Sequence, residues 1–283
     1  LCQNISLMRS PLKSEKLNSI LKYLLDNELY IHYSSLNIHY RSIVDIVDSA
    51  IVNSEVAMQL DLNFANYLKN DLYKLAKLEI ESVVELFYNF DYPNIKQKLV
   101  LEFIEELTLI FDEYIDTQEF HFGLECLRQL LKEAKKEKKN ALPFIMDEQD
   151  HILIENFSQF YLRPIYMFKN SNHIFDNEVA ISEILSNYKI IIDTKKVKNY
   201  SFVDSQSNLF VQASDIFVGL MGKLFNYINN SSTEKIVSDF DFLSEKQLNN
   251  IDALMDLIDK SNNKNIAFLH SIDSYENQTK LNL

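Results

Sequence analysis

The stretch YSFVDSQSNLFVQASDIFVG, residues 200–219, decides how the chain is read. Tyr200 to Val203 is β-rich and the apolar residues that follow recur at helical spacing, so a short strand should run into a helix spanning Gln206 to Asn229. Asp204 and Ser205 then stand at the strand exit, with Gln212 and Asp215 on the helix. Phe210, Val211, Ile216, Phe217, Val218 and Leu220 make most of that helix apolar. An Asp215 embedded among them must be paired, protonated or bound to a cation, because a lone ionised carboxylate in a dry core is too costly. The polar groups of this segment are therefore expected to face inward and mark a site.

Upstream segments read in the same strand-and-helix alternation. Lys189 to Ile192 looks like a strand, Val179 to Leu185 like a helix, and Ile152 to Tyr161 like a helix stopped before Pro164. Leu142 to Met146 is a short apolar run ended by Asp147 and Glu148, the pattern of a buried strand with carboxylates at its C-terminal edge, where open α/β sheets place their chemistry. Lys13 to Asp26 is an amphipathic helix capped by Ser14, and Leu29 to Asn37 a strand leading through His39 into a helix with Ile43, Val44, Ile46 and Val47.

From about Glu55 to Asn140 the periodicity is helical in three stripes, the first broken by Pro93. Ser244 to Ile258 is a further amphipathic helix, and the polar tail after Asn277 is expected to fray. The reading is an α/β domain over residues 1–52 and 141–230, a helical insertion over 53–140 and a C-terminal helical extension over 231–283.

Composition narrows the function classes. With 47% hydrophobic and 24% charged residues the chain can bury a full core. No apolar run reaches the length of a membrane span, and no signal peptide is visible. Cys2 and Cys126 are too few for a disulfide framework or a cysteine zinc site, which fits the cytoplasm. The net charge of -13 opposes non-specific binding to nucleic acid. Only Gly123, Gly219 and Gly222 occur, so glycine-rich phosphate loops are excluded. The chain begins at Leu1 rather than at a methionine, as expected of a sequence that has lost an N-terminal piece.

The segments FVDSQSN, residues 202–208, and VQASDIFVG, residues 211–219, resemble the C-terminal signature of the bacterial domain-of-unknown-function family numbered 3800, in which a "fvdS…QlaDliaG" pattern closes a ribonuclease-H-like domain. Leu142 to Glu148 looks like that family's internal strand ending in an acidic residue, and Ile31, His32 and Tyr33 with Tyr40 look like its earlier strand. The resemblance covers both ends of the chain and skips the helical block. It implies a ribonuclease-H-like mixed sheet flanked by helices, acidic residues gathered around Mg2+ or Mn2+, and hydrolysis of phosphodiester bonds. Asp147 or Glu148 would take the place of the internal-strand carboxylate and Asp215 that of the helix aspartate, with Gln212 and Ser205 as neighbours. The family's opening Asp-Glu-Ser strand has no counterpart before Met8.

Two-metal hydrolysis needs several oxygen ligands within a few ångströms of each other. Asp147 and Asp215 are the expected metal ligands, and Glu148 a ligand or water-orienting base. Each has a plainer reading: a solvated turn for Asp147 and Glu148, a structural hydrogen bond for Asp215. Asp176, with Glu178 and His173 nearby, is most simply a helix cap. His173 is a candidate ligand or base, but no histidine spacing suits zinc. Ser205 lacks elbow glycines and reads poorly as a nucleophile. Lys132 to Lys139 and Lys195 to Lys198 could touch phosphates, but they also suit a helix C-terminus and a turn.

Two functions compete: a metal-dependent nuclease acting on nucleic acid, and a non-catalytic binding or assembly module whose helical block docks a protein partner or a second copy. Neither the choice between DNA and RNA nor the oligomeric state follows from the sequence.

Overall fold

The structure, a computed structural model, describes residues 11–54, 62–117, 119–136, 141–146 and 148–282. The chain divides into two compact units. One comprises Ser35–Glu155 with Ser271–Asn282, and the other the residues up to Ser34 with Asn156–His270. The strands Tyr33–Leu36 and Leu269–Ile272 pair as a two-stranded sheet.

The first unit is a bundle of the helices Ile38–Val52, Leu62–Leu78, Ile80–Asn89, Val100–Asp112 and His121–Lys136. Their apolar stripes close on one core, in which Ile43, Leu68, Leu72, Phe103, Phe111 and Leu124 are almost wholly buried. Asn37 caps the first helix by accepting from the Tyr40 amide at 3.1 Å. The first expected stripe is two helices rather than one, because Glu79 leaves helical geometry at φ -106 and ψ 40. Pro93 breaks the pattern as its missing amide requires.

Leu142 to Met146, expected as a buried strand, is a 3-10 turn over Pro143–Ile145. Pro143 cannot donate to a sheet ladder. The neighbouring backbone groups are satisfied from helices and loops instead: Phe144 N donates to Ser49 Oγ at 3.0 Å, and Ile95 N donates to Ile145 O at 2.9 Å. The tail also departs from expectation. Helix Tyr275–Thr279 is capped by Ser274, and Asn277 and Lys280 are buried.

The second unit packs helix Glu15–Asp26 on helix Glu245–Lys264, with Leu17, Leu21, Leu254 and Leu257 joined by Leu220 and Met221 of helix Leu209–Asn229. Ser14 and Ser244 cap the first two helices, as their sequences require. A smaller cluster, Ile165, Leu185 and Ile190, lies with Phe175 and Phe202 of the parallel strands His173–Asp176 and Tyr200–Val203. Helix Val179–Asn187 follows the first of these strands. Ile191–Ile192 and Lys195–Lys196 form a minimal hairpin whose turn residues, Asp193 and Thr194, have positive φ. Helix Ser158–Met167 carries Pro164 inside it rather than stopping before it.

The ribonuclease-H-like mixed sheet expected from the sequence is therefore not the fold. The protein is mostly helical, and its described strands pair only as three separate two-stranded sheets. Residues of 3.6 periodicity supply the cores, while the strands are two to four residues long and each has a single neighbour.

Candidate functional site

Helix Leu209–Asn229 begins three residues later than expected, after Asn208 accepts from Phe210 N at 3.0 Å and Val211 N at 3.3 Å. It buries Val211, Leu220, Met221 and Ile228 and leaves Gln212, Ser214, Asp215, Ile216 and Val218 exposed. Asp215 therefore faces solvent rather than a dry core, and the desolvation cost that singled it out does not arise. Gln212 donates its side-chain amide to the carbonyls of Ser205 and Gln206, at 2.9 and 3.2 Å, tying the helix to the preceding turn. Asp204 caps that turn by accepting from Gln206 N at 2.9 Å.

Of the remaining candidates, Asp176 stands opposite Val203 in the parallel ladder, so Asp176 and Asp204 share the C-terminal edge of one strand pair. Asp176 accepts from the neighbouring Asn177 amide at 2.8 Å. The N-cap of the next helix is Glu178, which makes no side-chain capping bond. His173 contacts the Phe168 carbonyl through Nε2 at 3.2 Å. Glu148 belongs to the helical unit and is exposed beside the Arg41 and Asp45 ion pair. Asp147 lies outside the described residues, as do Lys138 and Lys139 of the lysine run. Among the described residues no group of three His, Cys, Asp or Glu side chains is arranged to hold a metal ion, so a Mg2+ or Mn2+ site is not assembled from them.

The helical unit carries the concave feature that sequence reading missed. Ile38, Ile43, Tyr73, Ile80, Val84 and Phe87 line an open pocket of about 150 Å³. Its walls are apolar, and Lys77, His39 and Ser42 are the polar side chains among its lining. Ile38, Ile80 and Val84 are each 40% exposed or more, so the rim is apolar as well. The Lys77 ammonium lies over the Tyr73 ring at 5.3 Å, and burial, then Lys280, hold its pKa below the usual lysine range.

A polar network fixes that wall. Asn37 Nδ2 donates to the Tyr73 hydroxyl at 2.8 Å and to Asp273 Oδ1 at 2.8 Å. Asp273 also accepts from Asn277 Nδ2 at 2.9 Å and from Ser274 N at 2.7 Å. Glu276 bridges Lys74 at 3.2 Å and Lys280 at 3.0 Å.

One buried ionisable group stands apart. Asp71, on helix Leu62–Leu78, is 3% exposed, and its Oδ2 is buried without a hydrogen-bond partner. Desolvation pushes its pKa up to about 6, against the pull of Lys74 and with a further push from Glu119. It occupies the space a side chain at Gly123 would need: a Cβ there would lie 1.9 Å from Asp71 Oδ2.

No helix among the described residues is long and apolar enough to cross a membrane. No protein-family model, curated protein or solved structure matches the chain.

Proposed function

We propose that the chain is a non-catalytic binding or assembly module whose helical unit holds an amphipathic helix of a basic partner protein. The open apolar pocket carries this reading. At about 150 Å³ it suits one or two anchoring side chains better than a cofactor, and anchors at i, i+4 and i+7 are how a helix engages such a groove. Charge specifies the partner. Glu81 and Glu85 are exposed beside Ile80 and Val84, and helix Val100–Asp112, which packs on the same helix, exposes Glu102, Glu105 and Glu106 with Leu101 and Leu109. Between Glu79 and Glu119 the sequence has no basic residue except Lys96 and Lys98, and Lys96 is engaged by Asp150 at 2.7 Å. Glu81 and Glu85 on the helix that lines the apolar seat, with the acidic residues of the helix packed on it, complement a helix with leucines on one face and lysines beside them.

The nuclease alternative needs carboxylates that converge; its expected ligand Asp147 lies outside the described residues, among which no group of three His, Cys, Asp or Glu side chains is placed to hold a metal. A fluorescently labelled Leu/Lys amphipathic helical peptide is the direct probe of the binding reading. Its anisotropy titration should saturate, and Val84→Asp should weaken it by about tenfold or more, since a buried carboxylate at the seat opposes the anchor. Val84 is 57% exposed, so its replacement should leave the thermal midpoint nearly unchanged. Equal affinity for wild type and Val84→Asp would refute the assignment.

A further inference from the structure

Three of the chain's arginines are described, and two of them have carboxylate partners: Arg41 with Asp45, and Arg128 with Asp112 at 3.4 Å and with Glu125. Arg163, on helix Ser158–Met167, has none among the described residues. Its Nη1 donates to the Ala267 carbonyl at 3.2 Å and meets His32 Nε2 at 3.3 Å, while Nε and Nη2 make no bond to a described residue. In a chain with 41 acidic and 28 basic residues, an arginine left without an acid is a departure that needs a reason.

The surroundings add three histidines. His173 and His270 lie close enough, with Arg163, to oppose a proton on His32, and Arg163 does the same to His270; no described carboxylate acts on either histidine. His32 is exposed as a residue, yet partial burial and these neighbours push its pKa down to about 4. At neutral pH its Nε2 is therefore an acceptor, the tautomer with the proton on Nδ1, and it holds one edge of the guanidinium in place.

Aromatic rings back the cluster. Phe168 meets His32 edge-on with centroids 5.3 Å apart, and Phe268 packs on Phe168 at 5.2 Å. Tyr30 extends the row at 6.0 Å from Phe268 and carries the ammonium groups of Lys260 and Lys264 at 5.1 and 5.4 Å.

We propose that Arg163, oriented by His32 and flanked by His173 and His270, binds the phosphoryl group of a small phosphorylated ligand. A guanidinium edge whose Nε and Nη2 make no bond to a described residue presents the two parallel donors that match two oxygens of a phosphate. A polyanion is a poorer fit, because the net charge of -13 repels a long phosphate backbone while one phosphoryl group meets only the local cations. The site lies in the unit that does not carry the apolar pocket, so the two assignments stand or fall separately.

The test is calorimetric titration of the whole chain with inorganic phosphate and with a 5′-mononucleotide, followed in parallel by the histidine ring resonances. Binding should shift the His32 and His270 signals. Arg163→Lys keeps the charge but loses the fork, and should weaken binding by about tenfold. His270→Glu places a carboxylate beside Arg163 as an internal occupant. It should abolish phosphate binding while leaving the fold intact by circular dichroism, which covers the case in which the arginine variant fails to fold. Tighter binding of the mononucleotide than of phosphate would identify a phosphorylated organic ligand, and equal binding free phosphate. Unchanged affinity in a folded His270→Glu protein, or no histidine shift at millimolar phosphate, would overturn the assignment. So would tighter binding of a single-stranded oligonucleotide than of either small probe.

Discussion

Asp71 and Gly123 depend on each other in a way that neither residue type announces. A methyl group at Gly123 would overlap the Asp71 carboxylate, and helices Leu62–Leu78 and His121–Lys136 pack closely there. Gly123→Ala should therefore destabilise the protein by about 2–3 kcal/mol in urea unfolding, the usual cost of overpacking, even though alanine is the better helix former.

The same carboxylate gives a pH signature. Its pKa is about 6 in the folded protein against 3.8 for an unperturbed aspartate, so the folded state holds the proton more tightly. By linkage this contribution to stability is present near pH 4, is lost as pH rises through about 6, and stays lost above it. Asp71→Asn mimics the protonated form. It should be more stable than wild type at pH 7 by on the order of 2 kcal/mol after solvent screening, with the difference vanishing near pH 4. A difference that grows toward low pH would mean that the carboxylate has an unrecognised partner.

At the scale of the element, helix Leu209–Asn229 shows what periodicity carries and what it omits. The strand from Tyr200 and the helix after it were both legible, because β-rich and 3.6-periodic residues adjoin with Asn208 between them. The inward direction of Asp215 was not. An apolar composition all round the helix does not tell which part of it a neighbour covers, and most of the stretch from Gln212 to Gly219 is exposed. Gly219 and Gly222 also meet nothing within 4 Å of a built Cβ. Alanine at either should stabilise the protein by about 0.5–1 kcal/mol through helix propensity, measured by thermal or urea unfolding.

The segment around Pro143 failed for a related reason. A five-residue apolar run satisfies a strand or a buried turn equally, and its backbone partners, Ser49 and Ile95, come from other parts of the chain. The apolar pocket was likewise hidden: Ile38, Tyr73 and Val84 belong to three helices, and each reads in isolation as an ordinary core or surface position.

At the scale of the whole molecule, the described residues form two units, each assembled from segments far apart in the sequence. The tail from Ser271 returns to the helical unit, and the first described helix packs with Glu245–Lys264 in the other. The proposal of a non-catalytic module carries a further expectation. Millimolar Mg2+ or Mn2+ should raise the thermal midpoint no more than a potassium salt of equal ionic strength. A specific stabilisation by either metal that disappears in Asp215→Ala would instead support a metal site at that residue.

Taken alone, the sequence determined most helices, several of their caps and the break at Pro93, because these depend on spacing and local hydrogen bonding within a few residues. It also set the chain's acidity and confined its glycines to three positions. Only the tertiary structure decided that the described strands do not join into one sheet, that Asp215 faces water, that Asp71 is buried against Gly123, and that Arg163 has no acid beside it among the described residues. Those outcomes depend on which surfaces meet across long stretches of chain, and packing between distant residues leaves no periodic trace in the residues themselves.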